Sequence, residues 1–264
     1  YQIDHEDGNG QFEINFTYAD AVTTADRYIL FKMASQSIAR KHGLICSFMP
    51  KPMSDRTGSG MHMHLSLGKN GGNDLADEND PRGLGLAKLG YQFLGGLFEH
   101  AAAMTAISCP TVNSYKRMVV GGVASGATWA PTFVCYGDNN RTAFVRVAGN
   151  HIEIRSGDSS ANPYLFTAAA IAAGLDGIQN DLDPGEPRNI NLYKVTAEER
   201  KKLGIGNLPQ SLDEALDALE ADPVVRAGIG ENLAAEFIRL KRAESEEYRR
   251  AVTDWEVDRY LRFF

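Results

Sequence analysis

Cysteine is scarce in this 264-residue chain: there are three, Cys46, Cys109 and Cys135, an odd count at wide spacing. That pattern fits neither a disulfide framework nor a zinc ribbon, and it predicts a reducing, cytoplasmic setting. The sequence has no run of about 18 uncharged apolar residues, the length a bilayer span needs, so it is not read as a membrane protein. Basic residues are in deficit, 27 against 34 acidic, for a formal charge of −7, and no Lys/Arg stripe is present. Nucleic acid and anionic membrane surfaces are therefore excluded as main partners, while small charged substrates stay open. The opening Tyr-Gln-Ile-Asp-His-Glu has no initiator Met, basic n-region or apolar h-region. No signal peptide is read there, and a piece of a longer protein is expected. Also missing are a GxxxxGK[ST] loop and a kinase Gly-rich loop with its partners. Against these absences, 43% apolar and 23% charged residues lie near globular averages and allow a sizeable buried core.

Hydrophobic spacing predicts the elements. From 9 to 16, Gln11, Glu13 and Asn15 alternate with Phe12, Ile14 and Phe16, a strand with Glu13 facing away from the core. A long helix is expected over 20–42, stopped by Gly43. Strands are expected at 44–48 and 61–67, with a loop from 50 to 60 between them, and a helix over 84–108. Short strands at 133–136, 142–147 and 151–155, separated by Gly/Asn/Asp turns, predict antiparallel pairing. Helices follow over 162–182, 211–220 and 231–252. Strands concentrated before residue 155 and helices after it predict an α+β fold, one curved antiparallel sheet with helices packed on one side.

The chemistry concentrates on two strands. Along 61–67, His62, His64 and Ser66 share one face and Met61, Met63, Leu65 and Leu67 the other. Along 151–155, His151, Glu153 and Arg155 oppose Ile152 and Ile154. Glu6 and Glu13 bracket Gly8-Asn9-Gly10, a turn able to bring both carboxylates to one point. Carboxylates and a histidine projecting from strands of one sheet suit Mg²⁺ or Mn²⁺ at open sites. The same side chains also occur merely solvated on exposed strand faces, and spacing does not choose between the two. Arg117, Arg141, Arg146 and Arg155 gather beside Glu153 in an otherwise acidic chain. Forked guanidiniums bind carboxylates and phosphates bidentately, so the set is the equipment of phosphoryl transfer. Without a P-loop, the ATP site is of another kind.

Several motifs resemble a known family. Phe48-Met49-Pro50-Lys51-Pro52, Gly58-Ser59-Gly60-Met61-His62-Met63-His64-Leu65-Ser66, Asn113-Ser114-Tyr115-Lys116-Arg117 and Ala161-Asn162-Pro163-Tyr164 resemble, in order, signatures of the glutamine synthetase catalytic domain. The segment 6–13 resembles its Glu-x-x-x-Gly-Gln-x-Glu motif. Ser125-Gly126-Ala127-Thr128-Trp129-Ala130-Pro131 and Gly137-Asp138-Asn139-Asn140-Arg141-Thr142 are most similar to the third bacterial class and the related γ-glutamylmethylamide synthetases. The resemblance covers nearly the whole chain and implies a single catalytic domain over 1–264. It implies a ligase in which ATP, as co-substrate, phosphorylates the γ-carboxylate of L-glutamate and ammonia, ahead of methylamine, displaces the phosphate. A pair of divalent cations, Mg²⁺ or Mn²⁺, is implied: Glu6 and Glu13 would hold the first, His62 and Glu153 the second. Gly58, His62, Arg117 and Arg155 would bind glutamate, and His64, Ser66, Arg141 and Arg146 the nucleotide. Arg141, Arg155 and Glu153 would be catalytic. The family also implies a homo-oligomeric ring, a dodecamer or similar.

The departures carry expectations too. The family's N-terminal β-grasp domain is absent from this sequence, as is the strand that would add a carboxylate to each metal from before Tyr1. The fragment alone is therefore expected to be inactive. His151 stands where many members have an ATP-binding arginine. The flap carboxylate that helps deprotonate ammonium has no counterpart in Met118-Val119-Val120-Gly121-Gly122-Val123, and Asp138 is the first acid afterwards. Trp129 is either a cation–π wall for an alkylammonium or core packing. Two alternatives thus accompany the glutamine reading: a glutamate–methylamine ligase, and a catalytically inactive structural relative.

Overall fold

The computed structural model describes residues 2–69, 72–120 and 130–264. The expectations for 121–123, for 125–129 and for Trp129 fall outside the described residues. Strands β1 (Gln2–His5) and β2 (Phe12–Asn15) pair antiparallel, with Asp4 opposite Glu13. The strand expected from residue 9 is shorter because the turn consumes residues 8–11: Gln11 N donates to Gly8 O at 3.0 Å, and Gly8 N to Gln11 Oε1 at 3.0 Å. Phe12, expected on a buried face, is 65% exposed. This ribbon is a separate two-stranded sheet. The expectation that all three carboxylates project from one sheet is corrected accordingly.

Helix α1 (Ala21–Lys41) starts where Asp20 accepts from Thr23 N at 3.0 Å, and Gly43, at φ 70°, turns the chain out of it. The strand expected at 44–48 does not form. Leu44 and Ile45 are 66% and 96% exposed, so the alternation has neither a buried face nor, among the described residues, a neighbouring strand to bond.

The main sheet contains β3 (Met63–Leu65), β4 (Phe133–Asp138), β5 (Ala143–Ala148), β6 (His151–Ile154) and β7 (Gly206–Asn207), in the order β3-β6-β5-β4-β7. Strand β6 pairs antiparallel with both β3 and β5, and β7 with β4. Strands β4 and β5, expected antiparallel, are parallel, so the sheet of this α+β fold is mixed. Asp138 lies beside Val147, and the return to Ala143 is about 13 Å along the strand. Residues 139–142 make that return through a turn, with Thr142 N donating to Asn140 Oδ1 at 3.0 Å and Ala143 N to Asn140 O at 3.3 Å.

Helices α2 (Lys88–Glu99) and α3 (Ala101–Ser108) replace the single helix expected over 84–108, with the break at His100. Then come α4 (Pro163–Gln179), α5 (Ala197–Lys202), α6 (Leu212–Ala221), α7 (Pro223–Ile229), α8 (Glu231–Arg250) and α9 (Asp254–Tyr260). Helices α2 and α4 cross closely through glycine. A Cβ on Gly96 would fall 2.0 Å from Ala173 O, and one on Gly177 2.2 Å from Gln92 O, so neither position admits alanine without moving a helix. One core joins Phe93, Leu97 and Met104 of the helices to Val145, Val147, Ile152 and Ile154 of the sheet.

His100 ties three helices together. Its Nδ1 lies 2.7 Å from Asp222 Oδ2, at the start of α7, and its Nε2 3.2 Å from Asp176 Oδ2 in α4. The Asp222 bond, aided by Asp176, raises the imidazole pKa against the opposing effect of burial. A raised folded pKa stabilises fully below the ordinary histidine value of 6.5 and loses that contribution as pH rises through the folded value. His100→Ala is expected to cost about 3 kcal/mol near pH 6 and to flatten the decline of thermal stability on the alkaline side, read by calorimetry across pH.

Candidate active site

Register builds the site. His64 lies opposite Glu153, and Glu153 opposite Arg146, across β3, β6 and β5. Since side chains alternate faces, this row stands on the side away from Val145, Val147, Ile152 and Ile154. Glu153, 1% exposed, is its centre. Its Oε1 lies 3.1 Å from His62 Nδ1 and 3.9 Å from His64 Nε2, and its Oε2 accepts from Arg146 Nη1 at 2.9 Å. Arg155 also donates to Oε1. Burial alone would raise the Glu153 pKa, but the His62 hydrogen bond and the charges of Arg155, His62 and His64 outweigh it and hold the carboxyl at about 2. His62 is pushed the other way: burial, with Arg155 and Arg117 nearby, lowers its pKa despite Glu153. A neutral His62 that donates Nδ1–H to Glu153 keeps the Nε2 lone pair for a ligand. His64 Nδ1 and His151 Nε2 are 2.9 Å apart, and burial lowers both pKa values.

The hairpin brings a second acidic group to this face. Glu6 and Glu13 hydrogen-bond each other, which raises the Glu6 pKa and lowers that of Glu13. Glu13 also feels the charges of His62 and Glu153, and Glu6 that of Arg141. Gln11 fastens the hairpin to the loop ahead of β3: Nε2 donates to Gly58 O at 3.0 Å, and Oε1 accepts from Thr57 Oγ1 at 3.0 Å. The expected turn that joins two carboxylates is therefore present. Among the described residues, His, Cys, Asp and Glu form no group of three or more that could hold a metal ion. The donors come as two pairs, Glu6 with Glu13 and His62 with Glu153.

Arg117 is 5% exposed. Its Nη2 donates to Gly157 O at 2.8 Å and also to Ser156 O. The Nε–H groups of Arg117 and Arg155 are buried without a hydrogen-bond partner among the described residues. Two buried guanidiniums near one another concentrate positive charge beside Glu153. Gly58 packs on the Arg117 stem, where an added Cβ would meet Pro50 O at 2.6 Å and Arg117 Cγ at 2.7 Å.

Of the remaining expected residues, Ser66 is exposed just past β3, and Arg141 is exposed in the β4–β5 link, where its charge is felt by Glu6 and Arg155. Sequence reasoning assigned no contact to Gln11, to the His64–His151 pair or to Asn139, whose Oδ1 accepts from Arg146 Nη2 at 2.9 Å. Gln11 and Asn139 do lie inside the quoted motifs, and that was the available signal.

The family model described as the glutamine synthetase catalytic domain matches residues 1–260. The chain belongs to the glutamine synthetase family. It is 55% identical over 264 residues to the glutamate–methylamine ligase of Methyloversatilis universalis, covering 100% of this chain and 60% of that protein. It is 44% identical over 265 residues to the glutamine synthetase of Halobacterium salinarum, covering 98% and 57%. Among solved structures, a GmaS/ADP complex superposes with a TM-score of 0.91 at 46% identity, covering 99% of this chain and 60% of that one. Ligand-free GmaS gives 0.85 at 43% identity. The chain thus spans about 60% of the length of these members of the glutamine synthetase family.

Proposed function

We propose that this chain provides the catalytic domain of an ATP-dependent glutamate–amine ligase, with methylamine as the amine. The observation that carries the ligase reading is Glu153, held ionised among His62, Arg146 and Arg155 on the face that also receives the Glu6–Glu13 pair. The expectation from sequence placed ammonia first and methylamine second. The 55% identity to a glutamate–methylamine ligase, against 44% to a glutamine synthetase, favours the second amine.

In this reading the γ-carboxylate of glutamate attacks the γ-phosphorus of ATP, giving γ-glutamyl phosphate and ADP. The amine nitrogen then attacks the acyl carbon, phosphate leaves, and the nitrogen gives up a proton. Arg117 and Arg155 orient the glutamate carboxylates by their charge, with Gly58 and His62 forming the rest of the glutamate pocket. Arg146 and Arg141 face the phosphates beside His64 and Ser66, and Arg141 and Arg155 offset charge as the phosphoryl group moves. The hard carboxylates of Glu6 and Glu13, and His62 with Glu153, fit Mg²⁺ or Mn²⁺ as paired ligands. Such ions, when bound, neutralise phosphoryl oxygens.

Assembly into a homo-oligomeric ring accords with the apolar side chains left exposed: Leu30, Met33 and Ile38 on α1, and Trp255, Leu261 and Phe264 at the C-terminal end. Free Cys46, Cys109 and Cys135 support a cytoplasmic setting. Among the described residues no helix is long and apolar enough to cross a membrane.

Equal concentrations of ammonium and methylammonium, supplied together with ATP, Mg²⁺ and glutamate to the full-length protein, test the amine by the mass of the product. γ-Glutamylmethylamide is expected to predominate; an excess of glutamine would restore ammonia as the substrate. Gly58→Ala is expected to raise the glutamate KM about tenfold or more, because the added Cβ displaces either the Pro50 carbonyl or Arg117. Steady-state kinetics at varied glutamate checks it.

A further inference from the structure

Asn139 occupies left-handed backbone space, φ 47°, in the link from β4 to β5. Asparagine tolerates this conformation better than most residues, but it persists only where the surroundings hold it. The holding contacts are here. Asn139 N donates to Val147 O at 3.0 Å, which fastens the link to the end of β5, and its side-chain Nδ2 donates to Asp138 Oδ1 at 3.2 Å. The side-chain oxygen is thereby left facing Arg146, and it accepts from Nε at 3.1 Å and Nη2 at 2.9 Å. Arg146 Nη1 is committed to Glu153 Oε2 at 2.9 Å. The guanidinium is therefore gripped on two edges, one by the central carboxylate and one by Asn139. The second grip is neutral, so it fixes the fork without cancelling its charge, as an aspartate would.

We propose that Asn139 is the positioning residue of Arg146: its left-handed backbone places an uncharged acceptor that holds the guanidinium toward Glu153 and toward a nucleotide's phosphates. The identity of that anion rests on the ligase reading; the grip on Arg146 does not. Preorganised cations speed phosphoryl transfer because no reorganisation is needed as charge shifts. A loose Arg146 would have to be ordered at each turnover.

The test is a double-mutant cycle in the full-length protein. Asn139→Gly removes the acceptor but keeps the backbone, since glycine adopts positive φ freely, so the melting temperature should fall by no more than a few degrees. The ATP KM is expected to rise about five- to tenfold while the glutamate KM stays the same. Arg146→Ala alone should have the larger effect, and adding Asn139→Gly to it should change nothing further. Effects that multiply independently in the double variant, or a normal ATP KM in Asn139→Gly, would overturn the assignment. If the wild-type protein shows no glutamate-dependent turnover, the ligase reading fails, and the same cycle read by ADP calorimetry still decides the role of Asn139. Absence of ADP binding by wild type overturns both.

Discussion

Glu153→Ala in the full-length protein is expected to lower kcat by about a thousandfold or more, on the order of 4 kcal/mol of barrier, while the fold persists. The carboxylate is the shared partner of His62, Arg146 and Arg155, so its loss removes a proposed metal ligand and the counter-ion of both guanidiniums at once. Arg155, 4% exposed, would be left as a buried cation without its counter-ion, a cost of about 3 kcal/mol in stability. Glu153→Gln, which preserves the volume, separates the two effects: it should lose comparable activity and less stability. The pH dependence has a definite sign. A carboxyl held at about 2 contributes stability that is present above the ordinary glutamate value of 4.5 and lost as pH falls toward 2. The acid limb of the melting profile should therefore be shallower in both variants. Retained turnover in Glu153→Ala would remove Glu153 from the chemistry.

Arg117→Ala is the second large effect, with the glutamate KM expected to rise about a hundredfold, roughly the 3 kcal/mol of a lost charge-assisted pair. The structure adds a consequence that the residue's sequence context does not disclose. Nη2 of Arg117 supports the carbonyls of Ser156 and Gly157, and its stem packs against Gly58, so alanine also releases two loops. Unfolding temperature should fall with activity in this variant. Arg117→Lys keeps the charge but not the fork, and is expected to recover little of the KM, because one ammonium cannot serve both the carbonyls and a carboxylate. An unchanged glutamate KM in Arg117→Ala would place the glutamate pocket elsewhere.

How much was legible in the sequence follows from which interactions are local. The alternation along 61–67 and 151–155 correctly put His62, His64 and Glu153 on one face, because polar and apolar residues follow the strand period there. That His64, Glu153 and Arg146 form one row is a matter of register between distant strands, which no local pattern fixes. Short links usually join antiparallel strands, whereas β4 and β5 run parallel across a turn held by Asn140 and a left-handed Asn139. Residues 44–48 have a strand's composition but no partner strand among the described residues. Helices α5 and α9 went unread although Thr196 with Glu199, and Thr253 with Glu256, form capping boxes that the sequence displays. The hairpin carboxylates were legible because a Gly-rich turn brings them together locally; their isolation from the main sheet was not. The burial of Arg117 was invisible because it is imposed by loops more than thirty residues away in sequence.

The most direct test of the account is ADP release by the full-length protein with ATP and Mg²⁺, measured with glutamate alone, with methylammonium alone and with both. Sustained release is expected only when both are present, with amide formed in step with ADP and a faster rate with methylammonium than with ammonium. Release that ignores glutamate, or no release under any combination, would contradict it and leave the chain as a relative that keeps the fold without the reaction.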